Sequence, residues 1–338
     1  MNRFEYVRAN SIAGAIAALA QSAEARVLAG GTNLVDLMKY DVAKPSRVVD
    51  INRLPLKEVA DTENGGLKIG ALVSNSDLAW HPQIVKRSPL LASAILAGAS
   101  PQLRNAATTG GNLLQRTRCY YFYDSSTPCN KRTPGSGCGA IGGVNRIHAI
   151  FGASESCIAV HPSDMCIALA ALDAEVEVES VKGRRLIPFE QFHRLPETTP
   201  ERDNTLEQGD LVTAVILPAT DFGRHHTYLK IRDRLSYAFA LVSVAVGMTM
   251  EDGVIADLRL AMGGVAHKPW RDKALEKTLH GAEANEASFR HFAEEALRGA
   301  KGQGQNDFKI ALARRTIIRA LTQAARGTPQ DQSVKTIR

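Results

Sequence analysis

The chain has 338 residues, of which 44% are hydrophobic and 22% charged, with a formal net charge of +6. At roughly 150 residues per domain, this length predicts about two domains with cores of ordinary size. The basic residues are scattered, the densest groups being doublets such as Lys131-Arg132, Arg184-Arg185 and Arg314-Arg315. This excludes the clustered stripe of a nucleic-acid binder, and no apolar run reaches the roughly 18 residues of a membrane span.

The N-terminal segment Met1 to Tyr6 lacks the basic start and apolar stretch of a signal peptide. Export is then expected only as the passenger of a signal-bearing partner, and without one the expected location is cytoplasmic. Phe4 to Val7 predicts a strand, and the Ala-rich Ser11 to Ser22 a helix, with Ile12, Ile16 and Leu19 on one face and Ser11 as N-cap. Arg26 to Ala29 predicts a second strand, Gly30 to Asn33 a turn, Leu34 to Tyr40 a short helix and Val48 to Ile51 a third strand. This β-α-β-α-β order predicts a small α/β subdomain over residues 1–55.

Leu67 to Gly70 predicts a strand, and Ser74 to Val85 and Leu90 to Ala97 predict helices. Arg118 to Gly152 is rich in aromatics, Pro and Gly and predicts a long loop, a length that is usually functional. Ser163 to Asp173 predicts a helix; Glu175 to Val178 and Leu211 to Leu217 predict strands. Near residue 223 the character changes. Tyr228 to Arg232, Ala240 to Met250 and Ile255 to Met262 predict strands, and Pro269 to Leu279, Ala287 to Arg298 and Phe308 to Arg326 predict helices. Gly327 suits the end of the last helix, and the polar tail 328–338 is expected to fray.

Two segments place paired glycines where a backbone can approach a phosphate closely. One is Val27-Leu28-Ala29-Gly30-Gly31-Thr32-Asn33-Leu34, between a strand and a helix, and the other is Thr108-Thr109-Gly110-Gly111-Asn112. Neither is the dinucleotide fingerprint Gly-x-Gly-x-x-Gly, and each alone reads equally as a tight turn. The five cysteines all lie between positions 119 and 166. Their odd number, without a secretory signal, argues against a disulfide framework. Cys119, Cys129, Cys138 and Cys157 are separated by nine, eight and eighteen residues, spacings unlike those of zinc ribbons or ferredoxins. By spacing alone a ligand role and a buried-thiol role stand level for these four. Cys166, in the apolar run Met165 to Ala170, reads as a buried thiol. His161-Pro162-Ser163-Asp164-Met165 offers a helix cap, or an acidic side chain for a ligand, and Lys230 lies on an alternating strand.

Together these segments resemble the FAD-binding medium subunit of the xanthine dehydrogenase / molybdenum hydroxylase family. The likeness is closest to the flavoprotein subunits of bacterial periplasmic aldehyde oxidoreductases, which carry an extra [4Fe–4S] cluster. The resemblance rests on Ala29 to Leu34, Ala97-Gly98, Leu103 to Cys119, Cys129 to Arg132, Pro134 to Cys138, Cys157 to Ala159, His161 to Met165, Lys230 and Gly263 to Arg271, and runs from about residue 3 to 325.

It implies an α+β fold: a vanillyl-alcohol-oxidase / p-cresol-methylhydroxylase type FAD-binding domain over 1–222, with subdomains of about 1–55 and 56–222. An iron–sulfur insert would occupy about 116–160, and a small C-terminal domain of the CO dehydrogenase flavoprotein type would occupy 223–327. Val27 to Leu34 would wrap the FAD pyrophosphate. Thr108, Thr109, Gly110, Gly111, Asn112 and Gln115 would line the flavin and ribityl region, with Asp164 and Lys230 completing the pocket. Cys119, Cys129, Cys138 and Cys157 would ligate the cluster. The implied partners are a small subunit with two [2Fe–2S] clusters and a large subunit with the molybdenum cofactor, forming a heterotrimer that passes electrons through FAD to an external acceptor. No catalytic acid or base is expected in this chain. Leu235-Ser236-Tyr237-Ala238 stands where NAD-using relatives carry acidic residues, so oxygen, a quinone or a small carrier is expected as acceptor. Two further readings remain: a self-sufficient flavin oxidase of the same fold, and a scaffold in which the cysteines bind zinc.

Overall fold

In the computed structural model, which describes residues 1–332, the chain forms three sheets with helices packed between and around them. The first subdomain consists of β1 (Glu5–Arg8), α1 (Ile12–Ala20), β2 (Ala25–Leu28), α2 (Leu34–Lys39) and β3 (Arg47–Asp50). Its strands are parallel in the order β1-β3-β2. Parallel strands need a crossover between them, and α1 supplies the first, capped by Ser11 Oγ accepting from the Gly14 N–H at 3.0 Å. Ala15, Ile16, Ala18 and Leu19 of α1 bury against Val49 and Ile51.

The second subdomain begins with β4 (Val59–Asp61) and β5 (Leu67–Gly70). Six short helices follow: α3 (Asn75–Trp80), α4 (Pro82–Arg87), α5 (Pro89–Ala97), α6 (Pro101–Ala106), α7 (Thr109–Leu113) and α8 (Tyr120–Tyr123). The helix expected over Ser74 to Val85 is therefore two. His81 is extended (φ −63°, ψ 128°) because the residue before a proline avoids the helical region. After the insert come α9 (Asp164–Ala171), β6 (Glu175–Ser180), β7 (Gly183–Pro188), α10 (Phe189–Phe192) and β8 (Leu211–Leu217). The five strands run antiparallel in the order β4-β5-β8-β6-β7. Strands β4 and β7 escape a reading of periodicity, since one is three residues long and the other has no buried residue and opens on Gly183 and two arginines.

The C-terminal part contains β9 (His226–Ile231), β10 (Val242–Glu251) and β11 (Val254–Gly263) in an antiparallel meander. After it come α11 (Lys273–Glu276), a 3₁₀ turn over Lys277–Leu279, α12 (Glu286–Ala296) and α13 (Phe308–Arg326). The helix expected from Pro269 begins only at Lys273, because the Trp270 backbone pairs with Met262. Gly327 closes α13 in the left-handed conformation (φ 63°). The tail does not fray over residues 328–332. The Gln330 N–H donates to Thr227 Oγ1 at 3.0 Å, and Gln332 Nε2 donates to the Tyr228 carbonyl at 2.9 Å. The rest of the tail, 333–338, lies outside the described residues.

Helix α9 joins the two halves. All eight of its residues are buried, and Ile167 packs on Gly263 at the end of β11. One core cluster runs from β5 and β8 through α5 and α9 to Tyr228, Ala245 and Ala261. A second lies between the meander and α12 and α13, and takes in Ile150 and Phe151 from the end of the insert.

Candidate functional site

A cleft of about 900 Å³ opens between the first subdomain, α5–α7, the start of α9 and the β9–β10 edge. Pockets for small molecules and cofactors span roughly 300–1,000 Å³, so it suits a large cofactor. Of the Val27 to Leu34 segment, Gly31, Thr32 and Asn33 face the cleft. Gly30 does not, and its lack of a side chain serves packing: a Cβ there would stand 1.7 Å from the Ala106 carbonyl oxygen. Gly31, at φ +72°, turns the chain into α2. Val27, Leu28 and Ala29 lead in from β2, and Leu34 begins α2.

The second glycine pair divides similarly. Gly111, Asn112 and Gln115 line the cleft, whereas Thr108, Thr109 and Gly110 stand behind them. Thr108 Oγ1 caps α7 at the Gly111 N–H, and Thr109 Oγ1 donates to the Val73 carbonyl at 3.1 Å. Ser163 caps α9 through the Cys166 N–H and donates to Asn112 Oδ1 at 2.5 Å. The second glycine pair, which lies in helix α7 and not in a turn, is thereby locked to the start of α9.

Asp164 and Lys230 form a buried ion pair on the cleft wall, 2.7 Å apart, with side chains 9% and 3% exposed. Asp164 Oδ1 also accepts from the Tyr228 hydroxyl at 2.7 Å, and the Lys230 ammonium donates further to the Ala97 carbonyl at 3.2 Å. Burial, with the Asp164 charge beside it, pushes the Tyr228 hydroxyl well above its ordinary value, so it donates at any working pH. Tyr228 points inward two residues before Lys230 on the same face of β9, a placement the sequence reading missed although strand alternation pairs the two.

Several buried polar atoms around the cleft have no partner within the protein: Asn33 Nδ2, Asn75 Oδ1, Arg118 Nε and His161 Nε2. Donors and acceptors left bare are costly unless something else meets them, so this wall fits a polar, elongated ligand such as FAD. Tyr237, Ala238 and Phe239 form part of the rim, with Tyr237 at φ +52° and both aromatic rings more than half exposed. Leu235 and Ser236 stand away from it.

The insert carries α8 and otherwise follows turns. Its four cysteines, distant in sequence, line one small cavity together with Thr117, Lys131 and His148. Cys129 and Cys138 face each other in an isolated antiparallel bridge. The strap between them is held by Asn130 N–H to the Gly137 carbonyl at 2.7 Å and Gly139 N–H to the Pro128 carbonyl at 3.0 Å. Cys119, Cys129 and Cys157 are buried, and Cys138 is half-buried. Burial pushes the Cys119 thiol up to about 12 and the Cys157 thiol to about 11. A metal must displace the protons of these two thiols. Among the described residues, the one trio of ligating atoms lying within 4.8 Å of one another is His161, Cys166 and His193. No three of the insert sulfurs lie that close to one another, whereas a tetrahedral zinc with 2.3 Å bonds draws its ligands nearer than that. Cys166 is fully buried in α9, and burial pushes its thiol up to about 12.

Around the cavity lies a buried polar network that no sequence signal singled out. Lys131, 2% exposed, donates to the Pro200 carbonyl at 2.6 Å and to Asp203 Oδ1 at 2.5 Å, and lies 2.6 Å from His267 Nε2. Burial alone would raise the Asp203 carboxyl, but Arg116 and Lys131 outweigh it and hold the carboxyl well below the usual range. His148 Nε2 lies 3.1 Å from Cys119 Sγ. Burial, with the Lys309 charge nearby, lowers His148 from its ordinary value.

A family described as the FAD binding domain in molybdopterin dehydrogenase matches residues 2–220, and one described as the CO dehydrogenase flavoprotein C-terminal domain matches residues 226–324. The chain is 48% identical over 326 residues to the aldehyde oxidoreductase FAD-binding subunit PaoB of Escherichia coli, covering 96% of this chain and 99% of that one. It is 30% identical over 283 residues to the glyceraldehyde dehydrogenase medium chain of Sulfolobus acidocaldarius, covering 84% and 83%. Among solved structures, carbon monoxide dehydrogenase of Hydrogenophaga pseudoflava superposes with a TM-score of 0.76 at 27% identity, over 96% of this chain and 98% of its counterpart.

Proposed function

Because the chain belongs to the family of FAD-binding medium subunits of the molybdenum hydroxylases, we propose that it holds FAD in the large cleft and a [4Fe–4S] cluster among Cys119, Cys129, Cys138 and Cys157. It is an oxidoreductase flavoprotein subunit of the aldehyde oxidoreductase type. In the proposed complex it receives electrons from the [2Fe–2S] clusters of a small subunit, downstream of a molybdenum cofactor in a large subunit, and delivers them to an external acceptor. Assembly is as a heterotrimer, and export to the periplasm with a signal-bearing partner follows from the same reading. Among the described residues, no helix is long and apolar enough to cross a membrane.

The observation that carries the proposal is the convergence of four sequence-distant cysteines on one cavity beside a polar cleft. When bound, FAD exchanges electrons singly or in pairs, and an iron–sulfur cluster singly. The chain's own residues bind and orient. Gly31, Thr32 and Asn33 supply the close-approach wall, with Asn112 and Gln115 opposite. Asp164 and Lys230 bring opposite charges that are hydrogen-bonded to each other and to Tyr228 and Ala97, so this part of the wall is braced from within the protein. No side chain here is required to pass a proton to substrate, because the aldehyde is oxidised in another subunit. Tyr237 and Phe239 at the rim favour a flat or apolar acceptor over a dinucleotide.

The test is the absorption spectrum of the anaerobically purified protein, with flavin, iron, sulfide and zinc assayed on one sample. The proposal expects FAD with about four irons and four sulfides per chain. FAD with zinc, or with no metal, overturns the cluster, and aldehyde turnover by the isolated chain overturns the relay.

A further inference from the structure

Three residues, Thr117, Cys119 and His148, line both the large cleft and the cysteine cavity. They form the partition between the two proposed cofactors. Of these, His148 touches the sulfur of a proposed ligand. Its Nε2 stands 3.1 Å from Cys119 Sγ, and its side chain is almost wholly buried.

The ring is fixed from behind. The His148 N–H donates to the Asn145 carbonyl at 3.0 Å. Its carbonyl accepts from Lys309 Nζ at 2.7 Å and from Asn306 Nδ2 at 3.0 Å. Lys309 lies in the first turn of α13, is completely buried, and donates in addition to the Gly264 carbonyl. The C-terminal domain thus pins the backbone that aims the imidazole at the sulfur.

The other ring nitrogen decides the tautomer. His148 Nδ1 is buried with no partner. A ring with two protons carries one on Nε2 in any case, and a ring with a single proton must place it on one nitrogen or the other. Placed on Nδ1, it would be an unpaired buried donor, and the Nε2 lone pair would face the lone pairs of a metal-bound thiolate. Placed on Nε2, it makes an N–H···S bond. A sulfur that carries iron has no proton of its own to donate, so only this second arrangement bonds.

We infer that His148 is a positioning and tuning residue that donates its Nε2–H to Cys119 Sγ of the iron–sulfur centre. The inference rests on the cluster reading above. Hydrogen bonds to cluster sulfurs are one of the levers that set reduction potential. One-electron reduction adds one negative charge to the centre and moves no proton here. A donor at the sulfur stabilises that added charge and raises the potential.

The experiment is an EPR-monitored redox titration of the whole complex, comparing wild type, His148→Phe and His148→Gln, with iron counted in each. His148→Phe is expected to keep its iron and titrate at lower potential. His148→Gln, which retains an N–H donor, is expected to recover part of the shift. An unchanged potential in iron-replete His148→Phe overturns the inference and leaves the cluster reading standing. Absence of iron from the wild type overturns both. Should His148→Phe fail to assemble, the wild type labelled with ¹⁵N-histidine decides. A ¹⁵N coupling to the reduced cluster, with an exchangeable proton beside it, is expected, and the lack of both overturns the inference.

Discussion

The cleft wall and the cysteine insert lie side by side and are built on opposite terms. In the cleft, the charged groups answer one another. Asp164 takes two donors, and Lys230 gives to a carboxylate and a carbonyl. In the insert the sulfurs meet hydrogen-bond donors rather than a paired charge: His148 and the backbone of Tyr121 and Phe122 at Cys119, and the Ala159 N–H at Cys157, 3.4 Å away. Buried thiols held apart around a cavity gain little from each other. A cleft of the first kind is preorganised by the protein itself, whereas a site of the second kind depends on what it binds.

That contrast can be broken most directly by removing the ligands in turn. Stripping iron with a chelator under reducing conditions is expected to make residues 116–160 the first site of proteolysis, whereas stripping FAD leaves the digestion pattern nearly unchanged. Equal protection after both treatments would end the comparison. The next effect in size is at the ion pair. Lys230→Met leaves Asp164 buried without its counter-charge and is expected to cost about 3–5 kcal/mol in denaturant unfolding, together with loss of flavin from the purified protein. A cost below about 1 kcal/mol would mean that the cleft is not held by that pair. The smallest effect sharpens the distinction between buried and surface charge. Arg146 and Asp233 meet at 2.8 and 2.9 Å but are 45% and 59% exposed. Arg146→Ala is expected to change stability by about 0–1 kcal/mol, with FAD and iron content unaltered.

Much of the architecture was legible along the chain. Helical spacing in Ser11 to Ser22, the alternation of Glu175 to Val178 and the strand runs of the last third all report local burial, which side-chain period encodes directly. The errors fall where a local signal is weak or is overridden. Pro82 breaks a helix that hydrophobic spacing alone would continue, and the Trp270–Met262 pairing delays α11. Lys309 is the instructive miss. It occupies the buried stripe of α13 with Ala313, Thr316, Ile317, Ala320, Leu321 and Ala324. A lysine at such a position signals that its ammonium must find partners inside, and the partners are carbonyls more than 40 residues away in sequence.

The sequence by itself determined the class of the longer elements, the turn at Gly31 and the set of four cysteines, because these rest on backbone conformation and residue chemistry that each position carries with it. Only the tertiary structure decided which of them meet. It sent Gly31 to the cleft and Gly30 against Ala106, made Asp164 and Lys230 one pair with Tyr228, and brought cysteines from separate turns to a single cavity with His148 at its wall. The physical reason is that burial and desolvation belong to the packed molecule: a carboxylate, an ammonium or a thiol acquires its strength of interaction only from what closes around it.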